Sequence, residues 1–189
     1  MALLLMKDFG GGAANGVPFI IPIGCTWMRA TLTGGGGAGD YGRDNFGGGG
    51  GGRGATGEKI VMGDLGGKTI IIHTGVGGFP PTIESFGNVG TQSSITFDNG
   101  WQMIAGGGYR AEGAKPGHGG NMASSGEMPL YIIKRSEHNL GSESGQMGML
   151  LSGGRGGGQG DTGGGGNGGD PNSLGMGGTA GYINIQFHS

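Results

Sequence analysis

Glycine occupies every third position through two long stretches of this sequence. In residues 34–57 the positions from 36 to 57, taken in steps of three, are all glycine except Asn45, and in residues 153–170 the same holds from 154 to 169 without exception. A backbone in polyproline II geometry has three residues per turn, so every third residue lies on one edge. The spacing predicts polyglycine-II-like segments packed side by side, with 153–170 as one rod. The alternative is irregular glycine-rich loops.

Such a chain needs an unusual source of stability. Glycine accounts for 55 of the 189 residues, and hydrophobic residues for only 33%. Ordering the backbone of one residue costs about 1–2 kcal/mol, and glycine has the most freedom to lose. A polyproline II backbone makes no internal hydrogen bonds, so its N–H and C=O groups can bond to neighbouring segments. We therefore expect lateral backbone hydrogen bonds and a small, dispersed hydrophobic core.

Between the glycine-rich segments lie short runs with the pattern of β-strands. Several alternate polar and apolar residues, as half-buried strands do, and no eleven-residue window shows a helical period. The sequence predicts an all-β, β-sandwich-like fold of short strands with almost no helix. The glycine-rich segments are 34–57, 106–120 and 153–181, and the middle one lacks the three-residue spacing. The predicted strands are residues 17–23, 26–33, 59–62, 68–74, 93–97, 101–105, 130–134, 148–151 and 182–187.

Charge and motifs argue against several classes of function. The net charge is −2 and no basic patch is visible, so we expect no nucleic-acid partner. No apolar stretch is long enough to cross a membrane, so we expect no membrane insertion. The GGKT at 66–69 lacks the first glycine of a P-loop and leads into a strand. Neither metal-ligand spacing nor a nucleophile motif is present, so the sequence predicts no enzyme, no cofactor and no metal.

Polar and aromatic residues interrupt the glycine at three places: 40–46, 109–118 and 161–172. If the glycine runs fold as rigid rods, these inserts are turns displayed at the rod ends. Tyrosine, arginine, aspartate and asparagine on a rigid frame are typical of binding loops, whereas aspartate, asparagine and proline alone are ordinary turn formers. The candidate binding-loop residues are Tyr41, Arg43, Asp44, Phe46, Tyr109, Arg110, Asp161 and Asn167.

The order of elements resembles the glycine-rich domains of bacteriophage tail fibres and related virion proteins. The strand VPFIIPIG (17–24), an alternating strand and a glycine run carry the likeness, through Pro22, Gly24, Thr26, Thr31 and Gly34 to Gly37. GKTIIIHTGVGG (67–78), TQSSITF (91–97), AGGGYRAEG (105–113) and the closing GYINIQF (181–187) continue it. The likeness covers about 17–120 and 175–187 and leaves 121–152 as a possible insertion. In composition and period the chain is also similar to adhesins at the tips of long phage tail fibres.

The resemblance implies an extracellular component of the phage tail that contributes to host attachment. Its partners would be other tail proteins and a host receptor, either a glycan or an outer-membrane protein, and the chain would be a homo-oligomer, with a trimer expected. We expect residues 1–16 to be an N-terminal assembly segment and 17–189 to form the glycine-rich β domain. Two alternatives stay open: a purely structural component of the tail tip or baseplate, and, as a minor one, an ice-binding protein.

Overall fold

The computed structural model describes residues 2–11, 15–158 and 162–189. Over these ranges the chain forms β-strands and no helix, which confirms the predicted all-β class. The strands of the described ranges are β1 Leu3–Gly10, β2 Asn15–Ile20, β3 Trp27–Thr33, β4 Thr56–Gly63, β5 Thr69–His73, β6 Ser93–Phe97, β7 Gln102–Ala105, β8 Met122–Ser125, β9 Ile132–Gly141 and β10 Tyr182–His188.

These strands build two antiparallel sheets of five strands each. Sheet 1 has the order β1-β10-β3-β4-β9, and sheet 2 has the order β2-β5-β6-β7-β8. Alternate side chains of both sheets meet in one buried core, so the sheets pack as a β-sandwich and the predicted alternation is confirmed. Fully buried members of this core include Met28, Leu32, Ile183, Ile185 and Phe187 from sheet 1 and Ile70, Ile72, Ile95 and Met103 from sheet 2.

The strand predictions fail in identifiable ways. Residues 148–151 do not form a strand, and that prediction is wrong: the segment makes only isolated bridges, from Leu150 to Phe46 and from Met149 to Ser152. Its apolar side chains are exposed at a turn between two glycine-containing segments, so no sheet is available to them. β9 runs well beyond 130–134, and β1 and β8 were not predicted, because neither has a clear apolar face in the sequence.

Two predicted divisions of the chain fall within the sandwich. The described part of the N-terminal segment 1–16 includes β1, which pairs with β10 along sheet 1. The region 121–152 supplies β8 to sheet 2 and β9 to sheet 1, so both sheets include strands from it. The assembly role of the first and the status of the second as an insertion stay predictions.

Beyond the sandwich, eight strands continue into extended glycine-containing segments, and two further described segments lie between β9 and β10 in the chain. We call this set the glycine bundle. Its members among the described residues are 34–42, 47–55, 75–78, 88–91, 106–111, 117–120, 143–149, 153–157, 163–169 and 173–180.

Hydrogen bonds within the bundle repeat every third residue. In segment 34–42 each successive backbone N–H turns to a different neighbour, as a backbone with three residues per turn requires. The donor–acceptor distances are 2.9–3.0 Å. The N–H groups of residues 34, 37 and 40 donate to segment 47–55, those of 35 and 38 to segment 88–91, and those of 36, 39 and 42 to segment 173–180.

The two segments 34–42 and 47–55 lie at the centre of the bundle. Each exchanges backbone hydrogen bonds with six neighbouring segments of the described chain, and the two share the neighbours 106–111 and 163–169. Two adjacent rods in a hexagonal array have the same arrangement. Each rod has six neighbours, the two rods share two of them, and eight rods together enclose the pair. The backbone polar groups of the centre are therefore satisfied without the burial of large side chains.

Most positions of the central segments require glycine. A Cβ atom built on Gly51 would overlap the carbonyl groups of Gly37 and Ala38, and one built on Gly36 would overlap that of Gly164. Outer segments face the central pair on one edge, and the residues on that edge are small. Some glycines off that edge, such as Gly107, are also required, because a Cβ there would overlap the backbone of a neighbouring outer segment. In 106–120, where glycine spacing predicted nothing, the inward positions are Gly108, Ala111, Gly117 and Gly120, all buried.

Residues 153–170 do not form the single rod that the spacing predicts. Gly165 and Gly168 donate to the carbonyls of Gly157 and Gly154, so the two halves of the stretch run antiparallel. The stretch therefore contains two neighbouring antiparallel segments, 153–157 and 163–169. Both halves bond to the central segment 47–55: Gly154 and Gly157 donate to Gly48 and Gly51, while Gly51 and Gly48 donate to Gly166 and Gly169.

Candidate functional site

Five turns connect the segments of the glycine bundle at the end that faces away from the sandwich. Because the segments run out from the strands and back, successive turns collect at this end. We call it the distal tip and define it as residues 43–46, 79–87, 112–116, 149–152 and 170–174. Bridges tie neighbouring turns together, from Gly42 to Pro171 and from Phe46 to Leu150.

The distal tip exposes large apolar side chains. Phe46 is 57% exposed, Ile83 68%, and Leu150 and Leu151 62% and 70%. Phe79, Phe86, Met149 and Leu174 are exposed as well. Clustered apolar side chains at a protein surface mark sites that contact a partner. The tip is therefore chemically unlike an ordinary set of turns.

Two arginines hold one aromatic ring of the tip in place. The guanidinium carbons of Arg43 and Arg110 lie 5.8 Å and 5.3 Å from the centroid of the Phe86 ring, so each cation faces the ring at cation–π distance. Arg110 also donates to Glu112, with 3.3 Å between nitrogen and oxygen. These contacts join the turns 43–46, 79–87 and 112–116 into one surface.

Strained backbone is concentrated in the distal tip. Among the described residues, the non-glycine residues with positive φ are Asp44 (54°), Leu151 (65°) and Asn172 (58°), one in each of three tip turns. Aspartate and asparagine tolerate this conformation, but a bulky leucine does so at a cost. Strain of this kind is concentrated at functional sites. Leu151 therefore stands out, because its exposed side chain gains no burial in return.

A buried carboxylate anchors the tip to the centre of the bundle. Asp40 is fully buried, and its Oδ1 accepts a hydrogen bond from the N–H of Tyr41 at 2.7 Å. Its Oδ2 accepts one from the N–H of Gly113 at 2.5 Å. The carboxylate thus fixes the turn 112–116 relative to the turn 43–46, which makes the distal tip a preorganised surface.

The structure brings some of the predicted residues together and separates others. Arg43, Asp44 and Phe46 lie in one tip turn, half-buried Tyr41 lies just before it, and Arg110 reaches the tip through Phe86. Tyr109 is exposed on the flank of the bundle. Asn167 is half-buried and accepts a hydrogen bond from the N–H of Gly156 at 2.9 Å, so it braces two segments. Asp161 lies outside the described residues.

Sequence reasoning missed most of the apolar side chains of the tip. The run FPPTIESF (79–86) lies between glycines at 75, 78, 87 and 90, and the run MLLS (149–152) between glycines at 145, 148, 154 and 157. The glycines on both sides of each run keep the three-residue spacing. An apolar run between two such glycine stretches was therefore the sequence signal for an exposed turn of the bundle. The runs were overlooked because 79–86 had no assigned element and 148–151 was taken as a strand.

The described residues hold no cluster of three or more histidine, cysteine, aspartate or glutamate side chains arranged to bind a metal ion. No helix in the described ranges could cross a membrane. No protein-family model matches the sequence, and the curated proteins contain no match to it.

Proposed function

We propose that this protein is a receptor-binding component of a phage tail fibre or tail tip, in which the glycine bundle is a rigid frame and the distal tip contacts the host surface. One observation carries the proposal: five turns meet at one end of the bundle, and that end exposes apolar side chains and holds strained backbone. The receptor would be an outer-membrane protein or a glycan.

The construction of the frame supports this role. Binding surfaces on loops work best when a rigid scaffold holds the loops, because little entropy is lost on binding. Every described segment that carries a tip turn bonds laterally to its neighbours, so the turns are held at both ends. The proposal further takes the chain to be an extracellular part of the virion, assembled with other tail proteins as a homo-oligomer.

A second candidate is a purely structural component of the tail tip or baseplate. Exposed Phe79, Leu150 and Leu151 favour it, because a permanent interface buries apolar side chains of this size. In that case the distal tip would contact another virion protein and never the host.

The test uses the purified full chain, fluorescently labelled, against a panel of bacterial cells. The unmodified protein is expected to bind the surface of at least one strain. The triple variant Phe46→Ser, Leu150→Ser and Leu151→Ser is expected to lose at least about tenfold in affinity, since it removes three apolar contacts. The matched control is Leu130→Ser, which changes a 98% exposed leucine outside the tip.

Retained binding by the triple variant would overturn the assignment of the tip as the receptor site. Failure of the unmodified protein to bind any strain would favour the structural alternative. In that case the distal tip should instead pull down a tail protein from disrupted virions. Circular dichroism of the variants distinguishes lost binding from lost folding.

A further inference from the structure

A second surface, separate from the distal tip, has the character of a ligand site. Two adjoining depressions lie on the outer face of sheet 2, where its strands pass into the glycine bundle. Their volumes are about 430 Å³ and 400 Å³, and Gln92 lines both. Each volume lies within the range of small-molecule sites. We call the pair the flank groove.

Backbone forms part of this groove. Gly90, Gly106 and Gly107 line one half of it. Their Cβ positions face neighbouring backbone, so glycine is required there by the packing of the segments. A ligand could therefore approach the backbone closely along this half.

Apart from the imidazole of His73, the polar side chains of the flank groove are amides and hydroxyls. Among the described residues, no aspartate, glutamate, lysine or arginine lines either half. The lining contains four side-chain amides together with hydroxyl groups: the amides are Asn15, Gln92, Gln102 and Asn121, and the hydroxyls include Thr91 and Ser94. Amides and hydroxyls both donate and accept hydrogen bonds. Such a lining suits a neutral ligand with many hydroxyl groups, because the described lining contains no lysine or arginine to neutralise a phosphate or carboxylate.

Neighbouring hydrogen bonds hold several of these groups in position. His73 Nδ1 and Asn15 Oδ1 are 3.2 Å apart, which is hydrogen-bonding distance, and this contact leaves the amide nitrogen of Asn15 to donate elsewhere. Gln102 donates to Thr96 at 3.1 Å and accepts from Ser125 at 3.3 Å. Side chains fixed in this way lose little entropy when a ligand binds.

One aromatic side chain completes the arrangement. Tyr109 lies at the bundle end of the groove and is 57% exposed. A tyrosine ring presents an apolar face with a polar tip, which matches the mixed C–H and O–H surface of a sugar ring. Ile104 and Val76 add apolar surface in the two halves.

We infer that the flank groove binds a short neutral oligosaccharide. The inference is independent of the proposed function, because the groove and the distal tip share no residues. The groove lies beside the tip-bearing segments, so a glycan held there would leave the distal tip accessible.

The test is a screen of the full chain against an array of neutral and anionic oligosaccharides, followed by titration of the best neutral binder monitored by amide NMR shifts. Binding of neutral oligosaccharides is expected, with shifts at Gln92, Gln102 and Asn121. The double variant Gln92→Ala and Tyr109→Ala is expected to weaken binding at least tenfold. Gln186→Ala, which removes an amide from the outer face of sheet 1, is the matched control and should leave the affinity unchanged.

The tip variant Phe46→Ser, Leu150→Ser and Leu151→Ser should retain oligosaccharide binding, which separates this inference from the proposed function. Three results would overturn it: no neutral oligosaccharide binds, only anionic ones bind, or the shifts map to the distal tip. If the double variant proves unstable, Gln92→Glu tests the same point, because a carboxylate in a neutral groove should also reduce the affinity.

Discussion

The sandwich and the glycine bundle are two halves of one chain that are held together in opposite ways. In the sandwich, large side chains such as Met28 and Phe187 are fully buried between two sheets. In the bundle, the buried material is backbone, and hydrogen bonds run sideways from each segment to its neighbours. The comparison teaches that side-chain volume has opposite effects in the two halves: its loss damages the sandwich, and its addition damages the bundle.

The largest expected effect comes from added volume at the centre of the bundle. Gly51→Val should destabilise the protein by more than about 5 kcal/mol, because the new side chain would overlap backbone carbonyls that cannot rotate away. Urea unfolding of the purified variant measures the change. The control is Gly10→Ala in β1, where a Cβ would lie 3.5 Å from Tyr182, an ordinary contact. If Gly51→Val were as stable as the control, the close packing of the central segments would be refuted.

Removal of volume from the sandwich should come next. Phe187 is fully buried and stacks on Phe19 with 5.3 Å between ring centroids. Phe187→Ala should cost about 3–5 kcal/mol, the range for large-to-small changes in a core. Because strands and segments are continuous, amide hydrogen exchange should accelerate in both halves together. Protection lost in the sandwich alone would show that the halves unfold independently.

The contribution of one buried lysine of the sandwich to the free energy of unfolding should depend on pH. Lys59 lies between the sheets, with Nζ 2.6 Å from the Glu137 carboxylate and 2.6 Å from the carbonyl of Ala123. Burial lowers the pKa of Lys59 below 10.5, partly offset by Glu137. The folded state therefore binds this proton less tightly than the unfolded state, and the contribution of Lys59 to stability rises with pH up to about 10.5.

The measurement is the difference in unfolding free energy between the unmodified protein and Lys59→Met, taken from pH 7 to pH 10. It should shift in favour of the unmodified protein as pH rises. Lys134→Met, at an exposed position in β9, provides the control and should show no such trend. A difference that stays flat, or that falls with pH, would contradict the assignment of burial as the dominant influence on Lys59.

The smallest effect should have the opposite sign. Leu151→Gly should stabilise the protein by about 0.5–1 kcal/mol, because glycine accepts positive φ without strain. The matched control is Leu150→Gly. Leu150 is the preceding residue and does not have positive φ, so this variant should lose about 0.5–1 kcal/mol of stability. Thermal unfolding of the pair decides: a loss of stability in both variants would mean that Leu151 carries no strain.

Sequence patterns predicted the local features of this fold well and the tertiary ones only in part. The alternation of buried and more exposed side chains in β3 and β10 depends only on residues adjacent in the chain, so it could be predicted from the sequence. The role of residues 106–120 could not be recognised, because Ala111 replaces glycine on the inward edge of this outer segment and interrupts the glycine spacing. Which edge faces inward is decided by segments far away in the chain.

The candidate site shows the same limit. Arg43, Asp44 and Phe46 stand out in the sequence as an insert within glycine, and the structure places them at the tip. The ring that Arg43 contacts, Phe86, lies some forty residues away, and only the lateral order of the segments brings it within reach of Arg43 and Arg110. Conversely, Asn167 has the chemistry of a binding residue but bonds to a neighbouring backbone.

The three-residue repeat of the bundle also determines where the chain can change length. One residue inserted into segment 47–55 would rotate everything beyond it by about a third of a turn and redirect every later hydrogen bond to the wrong neighbour. A residue inserted into a tip turn shifts nothing else, since a longer loop costs only a little more closure entropy. Changes in chain length are therefore expected in the five tip turns and not in the segments of the bundle that carry them.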